Sequence, residues 1–173
     1  GRMAEGPGTR PMVIVGGGKA GGTAAATLRD EGFNGPVVLV SREPGIPFGR
    51  PPLSKTYLRS EEDLTDWYVR PPDWYEAHDV DLRPDSVVAL DPAAHALALG
   101  SGRELGYEKL LIATGGRNRR LQLPGAELPG IYYLRTVAEC DAIKREAEAG
   151  RRAVVVGRSD IVGKPISLLL LSR

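Results

Sequence analysis

Three features of the sequence predict an α/β fold built on an open, doubly wound parallel sheet. A continuous apolar run, Met12 to Val15, ends at a glycine cluster. An alanine-rich helical pattern follows, from Ala20 to Glu31, and a second apolar run spans Val37 to Val40. Uninterrupted apolar strands are expected when a sheet is covered on both faces, and strand, helix, strand is a βαβ unit with parallel strands.

The remaining elements are read in chain order. Gly32, Asn34, Gly35 and Pro36 end the first helix and turn the chain. Glu43 to Pro52 is rich in proline and glycine, so a loop of restricted backbone is expected, with Pro51-Pro52 holding it extended. Pro71 and Pro72 open a short helix over Asp73 to His78. Val80–Arg83, Ser86–Leu90, Ala96–Leu99 and Lys109–Thr114 read as strands. The middle two are expected to form a hairpin that meanders back to the last. Trp67, Tyr68, Trp74 and Tyr75 are expected to pack around the Asp73 helix. Leu121 to Gly130 has two Pro-Gly breaks, the mark of a linker or crossing. Thr136 to Ala149 is a helix with Thr136 as N-cap, Glu139 three residues on and Gly150 just past its end. A buried-type strand, Ala153 to Val156, and a helix from Pro165 to Leu171 close the sequence.

Composition narrows the function classes. Of 173 residues, 42% are hydrophobic and 26% charged, which suits a packed core. Lys and Arg total 23 against 22 Asp and Glu, so the cationic excess that coats nucleic acid is absent. No polybasic cue for a membrane surface is present, and no apolar run approaches the ~18 residues that span a bilayer. The lone Cys140 rules out an internal disulfide, a C-x-x-C pair and an all-cysteine metal site, and reads as a partly buried structural thiol. His78 and His95 have no partner at metal spacing, so no metal site is expected. The opening residues have no signal-peptide core, and Gly1-Arg2 ahead of Met3 reads as a cloning remnant. A cytoplasmic location is expected.

The chemistry concentrates at Gly16-x-Gly18-x-x-Gly21, which follows a strand and opens a helix. In this arrangement the first glycine permits the tight turn and the second lets backbone approach a pyrophosphate. The third lets helix and strand pack closely, and the helix N-terminus meets the phosphates. Ala20 stands in that first turn, and Glu43 lies 22 residues past Gly21, where a carboxylate accepts hydrogen bonds from ribose hydroxyls. Arg42 reads as a solvated arginine, with a 2′-phosphate ligand as the alternative. The motif points to a dinucleotide without separating FAD from NAD.

Val13 to Val40 with Glu43-Pro44, then Arg50-Pro51-Pro52-Leu53-Ser54-Lys55, resembles the FAD-binding half of ferredoxin-reductase-type flavoproteins. That group includes the putidaredoxin and rubredoxin reductases and apoptosis-inducing factor. Leu110 to Gly116 is similar to their second FAD-contacting strand and turn, and Tyr133 to Thr136 to the start of their nicotinamide domain. The resemblance implies FAD contacts from Arg50 and Lys55, with Lys55 beside the reactive ring, and from the Val88 backbone, Ala113, Thr114, Gly115 and Arg119. It implies NADH or NADPH as donor and a ferredoxin-like iron–sulfur protein as acceptor, since no cysteine pair is present to take electrons.

From Gly157 the sequence resembles instead the NADP-binding segment of methylene-tetrahydrofolate dehydrogenase/cyclohydrolase, through Gly157-Arg158-Ser159, Ile161-Val162-Gly163 and Lys164-Pro165. That resemblance implies phosphate recognition by Arg158 and Ser159, and a chimera joined at the shared Val-Val-Val-Gly strand. The expected organisation is a flexible N-terminus over residues 1–11 and a truncated Rossmann-like FAD-binding domain with a β-meander over 12–120. A linker spans 121–135, and one αβα piece of a second Rossmann unit spans 136–173. The expected function is an FAD-binding fragment of an NAD(P)H-dependent reductase, inactive or weakly active as truncated. The alternatives are a working oxidoreductase whose site a homo-oligomer completes, a chimeric scaffold without tight cofactor binding, and an NADP-binding segment of the folate-enzyme type.

Overall fold

A computed structural model describes residues 10–150, 154 and 155 of the chain. Two compact units divide it: Gly1–Gly49 with Tyr68–Gly115, and Arg50–Trp67 with Gly116–Arg173.

The first unit holds the predicted α/β architecture. Strands β1 (Met12–Val15), β2 (Val37–Ser41), β3 (Val80–Pro84) and, last in the chain, β7 (Lys109–Ile112) form a parallel sheet in the order β3-β2-β1-β7. Helices α1 (Lys19–Asp30) and α2 (Pro72–Ala77) lie between them in sequence. Because side chains alternate along a strand, the two central strands feed two separate cores. Ile14, Val37 and Leu39 pack with Ala25 of α1, Tyr75 of α2 and Val80. Val13, Val38 and Val40 point the other way, onto Leu97, Leu99, Leu105 and Tyr107.

That second face is covered by an antiparallel sheet of β4 (Val87–Asp91), β5 (Ala96–Leu99) and β6 (Glu104–Gly106). Here the topology departs from the sequence reading. The hairpin's third strand is β6, and Lys109–Ile112 pairs with β1 instead of closing the meander. β6 holds one apolar residue, Leu105, between Glu104 and Gly106, so no periodicity reveals it. β7 forms one edge of the parallel sheet, with Leu111 and Ile112 44% and 61% exposed.

Side chains tie the corners. The Arg29 guanidinium, in the last turn of α1, donates to the carbonyls of Phe33, Gly35, His78 and Asp79. One cation thereby fixes the end of α1 to the α2–β3 corner, where it also meets the negative end of the helix dipole. His78 caps α2 and stacks on Trp74 at 4.3 Å, and Trp74 meets the buried Tyr75 edge-on at 5.3 Å. Of the four aromatics, Trp67 stands apart: it belongs to the second unit and donates to Glu62.

At the end of β3 the Asp85 N–H donates to the Ser41 carbonyl at 3.0 Å. The Asp85 carboxylate accepts from the Ser101 hydroxyl at 2.6 Å and from the N–H groups of Ser86 and Ser101. These bonds, led by the Ser101 hydroxyl, hold Asp85 below the ordinary carboxylate value of 3.8.

The second unit is built on a 3-10 turn, Pro51–Ser54, and helix α3 (Val137–Glu148). The di-proline does not hold extended backbone, as the sequence reading expected; Leu53 N–H bonds the Arg50 carbonyl and Lys55 N–H the Pro52 carbonyl. A proline φ near −65° suits a helical turn as well as an extended one, and a missing N–H costs nothing at the first helical position. Thr136 and Glu139 form the predicted capping box on α3, and Gly150, with φ 69°, follows its end.

Because its folded pKa is lowered, the Asp85 clamp contributes fully above pH ~4 and is lost as pH falls through the folded value. Asp85→Asn is therefore expected to lower the melting temperature at neutral pH and to flatten its decline below pH 4, as read by circular dichroism against pH.

Candidate functional site

The Gly16–Gly21 turn sits at the carboxyl ends of β1 and β7. In an open parallel sheet, ligands bind outside the strand ends where chain order reverses. Here that point lies between β1 and β7, because β1 connects forward to β2 on its other side.

Each glycine of the turn answers a different demand. Gly16 has φ 126°, and a Cβ there would fall on the Ala113 carbonyl and lie 3.0 Å from the Thr114 nitrogen. A Cβ at Gly21 would fall on the Gly16 carbonyl. Gly22, which the motif does not require, would drive a Cβ to 2.5 Å from Pro47 Cβ and 3.0 Å from Val69. Gly18 differs: among the described residues, and apart from its chain neighbours, a Cβ there meets nothing within 4 Å. Its φ of −84° is open to any residue. Packing among the described residues therefore does not explain glycine at position 18, and the position is open to close approach by a ligand. This is the cradle expected of the second motif glycine, and the residues present fit a dinucleotide pyrophosphate.

The first turn of α1 strengthens that fit. It has no side-chain cap and no acidic residue of its own, so the positive end of the helix suits an anion. Ala20 is exposed within that turn. Gly16 N–H donates to the Val40 carbonyl at 2.8 Å and Ala113 N–H to the Val15 carbonyl at 2.8 Å, which fixes the turn between its neighbouring strands. Phe48 bridges backbone to backbone with Gly18 and with Tyr68.

Gly16, Gly18, Ala20, Gly21, Ala113, Thr114 and Gly115 thus belong to one cluster of turns, with Thr114 and Gly115 exposed. Glu43 stands two residues beyond β2, whose end is hydrogen-bonded to Gly16 through Val40. Val88 lies on β4, 66% exposed, where the β4–β5 register jumps from Val87 to Ala89. A register jump of this kind interrupts the ladder and suits a residue offering its backbone.

Arg50, Lys55 and Arg119 belong to the second unit. Arg50 and Lys55 flank the Pro51–Ser54 turn as its caps, and Arg50 Nη1 donates to the Arg135 carbonyl at 2.7 Å. Arg119 is exposed in an irregular segment. Gly157, Arg158 and Ser159, with the tail on which the second resemblance rests, lie outside the described residues.

Cys140 is fully buried, a correction to the partly buried thiol expected from sequence, and its Sγ–H donates to the Leu53 carbonyl at 3.1 Å. Burial pushes the thiol up to about 11, with Asp141 adding to the effect. It holds the Pro51–Ser54 turn against α3, and its burial keeps the thiol in its protonated form at neutral pH. The neighbouring Tyr57 hydroxyl donates to Asp141 at 2.9 Å and is pushed up to about 12, chiefly by burial. Lys144 Nζ stands 4.5 Å from the Tyr57 ring centroid. Sequence reasoning missed this Tyr57–Asp141–Lys144 group, because no local spacing links residues 57 and 141. Among the described residues, no group of three or more His, Cys, Asp or Glu is placed to hold a metal, and no helix is long and apolar enough to cross a membrane.

Residues 10–161 match the family profile described as pyridine nucleotide-disulphide oxidoreductase. The chain is 42% identical to rhodocoxin reductase of Rhodococcus erythropolis over 147 residues, 84% of this chain and 34% of that protein. It is 37% identical to rubredoxin-NAD(+) reductase of Pseudomonas putida over the same length, 38% of that protein. Among solved structures, the covalent putidaredoxin reductase–putidaredoxin complex superposes with a TM-score of 0.84 at 34% identity, over 95% of this chain and 40% of that one. The chain therefore spans roughly a third of the length of the curated relatives it matches.

Two outcomes test this geometry. Gly16→Ala is expected to abolish dinucleotide binding and destabilise the chain by about 2 kcal/mol or more in urea unfolding, since φ 126° and the Ala113 carbonyl both oppose a side chain. Cys140 is expected to resist Ellman's reagent in the native chain and to react at once in denaturant.

Proposed function

The chain belongs to the pyridine nucleotide-disulphide oxidoreductase family, and we propose that it is an FAD-binding portion of an NAD(P)H-dependent reductase whose electrons go to an iron–sulfur protein. The observation that carries the reading is Gly18. It is a glycine at an ordinary φ with no neighbouring atom to avoid among the described residues, set between two glycines that the fold does require.

In this reading the Gly16–Gly21 turn and the first N–H groups of α1 receive the pyrophosphate, and Ala20 lets it approach without a bulky side chain. Glu43 accepts hydrogen bonds from ribose hydroxyls. The Val88 backbone serves the adenine, and Ala113, Thr114 and Gly115 line the adjoining turn. Arg50, Lys55 and Arg119 supply positive charge toward the phosphates and the flavin, with Lys55 nearest the ring. Bound FAD would supply the conversion between two-electron nicotinamide chemistry and one-electron iron–sulfur chemistry. The protein's part is to hold the ring, exclude competing groups and offset negative charge. Cys140 is buried and donates to the Leu53 carbonyl, which supports an acceptor other than this thiol.

The names of the relatives support the acceptor class: rhodocoxin reductase, rubredoxin reductase and a reductase joined to putidaredoxin. We assign Arg158 and Ser159 to phosphate recognition on NADP, on the strength of the tail's resemblance to the folate enzymes. Catalysis by this portion alone is expected to be weak or absent.

Purified chain given FAD is expected to retain flavin absorbance through gel filtration; protein that stays colourless overturns the FAD assignment. Anaerobic NADH or NADPH tests turnover separately, and slow or no bleaching is expected. Where bleaching occurs, Lys55→Met should slow it more than it weakens FAD binding.

A further inference from the structure

Gly17 is the residue in Gly16-Gly17-Gly18 that the motif leaves free to vary. Its φ lies outside the left-handed region, so its backbone does not demand glycine. Yet a Cβ built at Gly17 would lie 2.5 Å from Ser41 Oγ, 2.6 Å from Ser41 Cβ and 3.6 Å from Leu39 Cδ2. The demand for glycine comes from the Ser41 side chain. Ser41 ends β2, its hydroxyl donates to the Glu43 carbonyl at 2.7 Å, and its own carbonyl accepts from the Asp85 N–H at 3.0 Å. Ser41 therefore touches the phosphate turn on one side and sets the bend that carries Glu43 on the other.

We propose that Ser41 is a positioning residue for the adenosine diphosphate half of the dinucleotide. Seated against Gly17, it fixes the spacing between the phosphate turn and the Glu43 carboxylate. Without the hydroxyl, the Glu43 bend loses the hydrogen bond that ties it to the end of β2, while the carboxylate itself remains. This inference rests on the dinucleotide reading above and adds a residue that the glycine motif and its acid do not include.

The test measures FAD and ADP affinity of the full chain by calorimetry, with the apo melting temperature recorded for every variant. Ser41→Ala is expected to weaken both ligands by about three- to tenfold, the worth of one hydrogen bond. In a Glu43→Ala background the same substitution is expected to have no further effect, because it acts through Glu43. A merely structural role would lower the melting temperature and weaken binding equally in both backgrounds. The second arm is independent of the hydroxyl: Gly17→Ala should weaken ADP in the wild-type chain but not in Ser41→Gly, where its Cβ meets no obstacle. Unchanged affinity in Ser41→Ala, losses that multiply with Glu43→Ala, or equal harm from Gly17→Ala in both backgrounds overturns the proposal. A wild-type chain that binds neither FAD nor ADP overturns the dinucleotide reading, and this inference with it.

Discussion

The contact between the Gly16 backbone and the Ala113 carbonyl governs the first unit. It joins the turn after β1 to the turn after β7, two segments nearly a hundred residues apart in sequence, at a distance that leaves no room for a side chain. The parallel register of β1 with β7 brings those ends level, Val15 beside Ile112. Two cores, one on each face of β1 and β2, keep that register from slipping, since a one-residue shift would exchange Val13 for Ile14 and mismatch both. The candidate site is thus a consequence of strand order, and its glycines are the residues that let the strand ends converge.

Much of this was legible in the sequence, for physical reasons that differ by element. Met12–Val15 and Val37–Val40 are buried on both faces, so their burial writes itself as unbroken apolar runs. The α3 cap was legible because Thr136 and Glu139 satisfy each other's backbone groups within one turn. β6 was not, because a three-residue strand with one inward side chain carries no period. The Pro51–Ser54 turn was misread because proline fixes φ while leaving ψ to context, and the context here is α3 and the buried Cys140. Ser41 could not be found from sequence at all: a serine at a strand end looks ordinary until the close approach of Gly17 is visible.

The two units carry different chemistry. The first offers neutral backbone, small residues and one carboxylate, arranged by the sheet. The second offers arginine and lysine at the two ends of a single turn, held by the Leu53 and Arg135 carbonyls. Arg50 and Lys55 cap one short turn led by Pro51 and Pro52, so the joint occurrence of these four in sequence carries more information than the glycines do.

Burial of the chain's one cysteine has a practical side. A folded protein whose native thiol is sealed behind a helix and a proline-led turn is a ready host for site-directed labelling. Any cysteine placed on its surface becomes the single reactive handle, with no need to remove Cys140 and loosen the turn it secures.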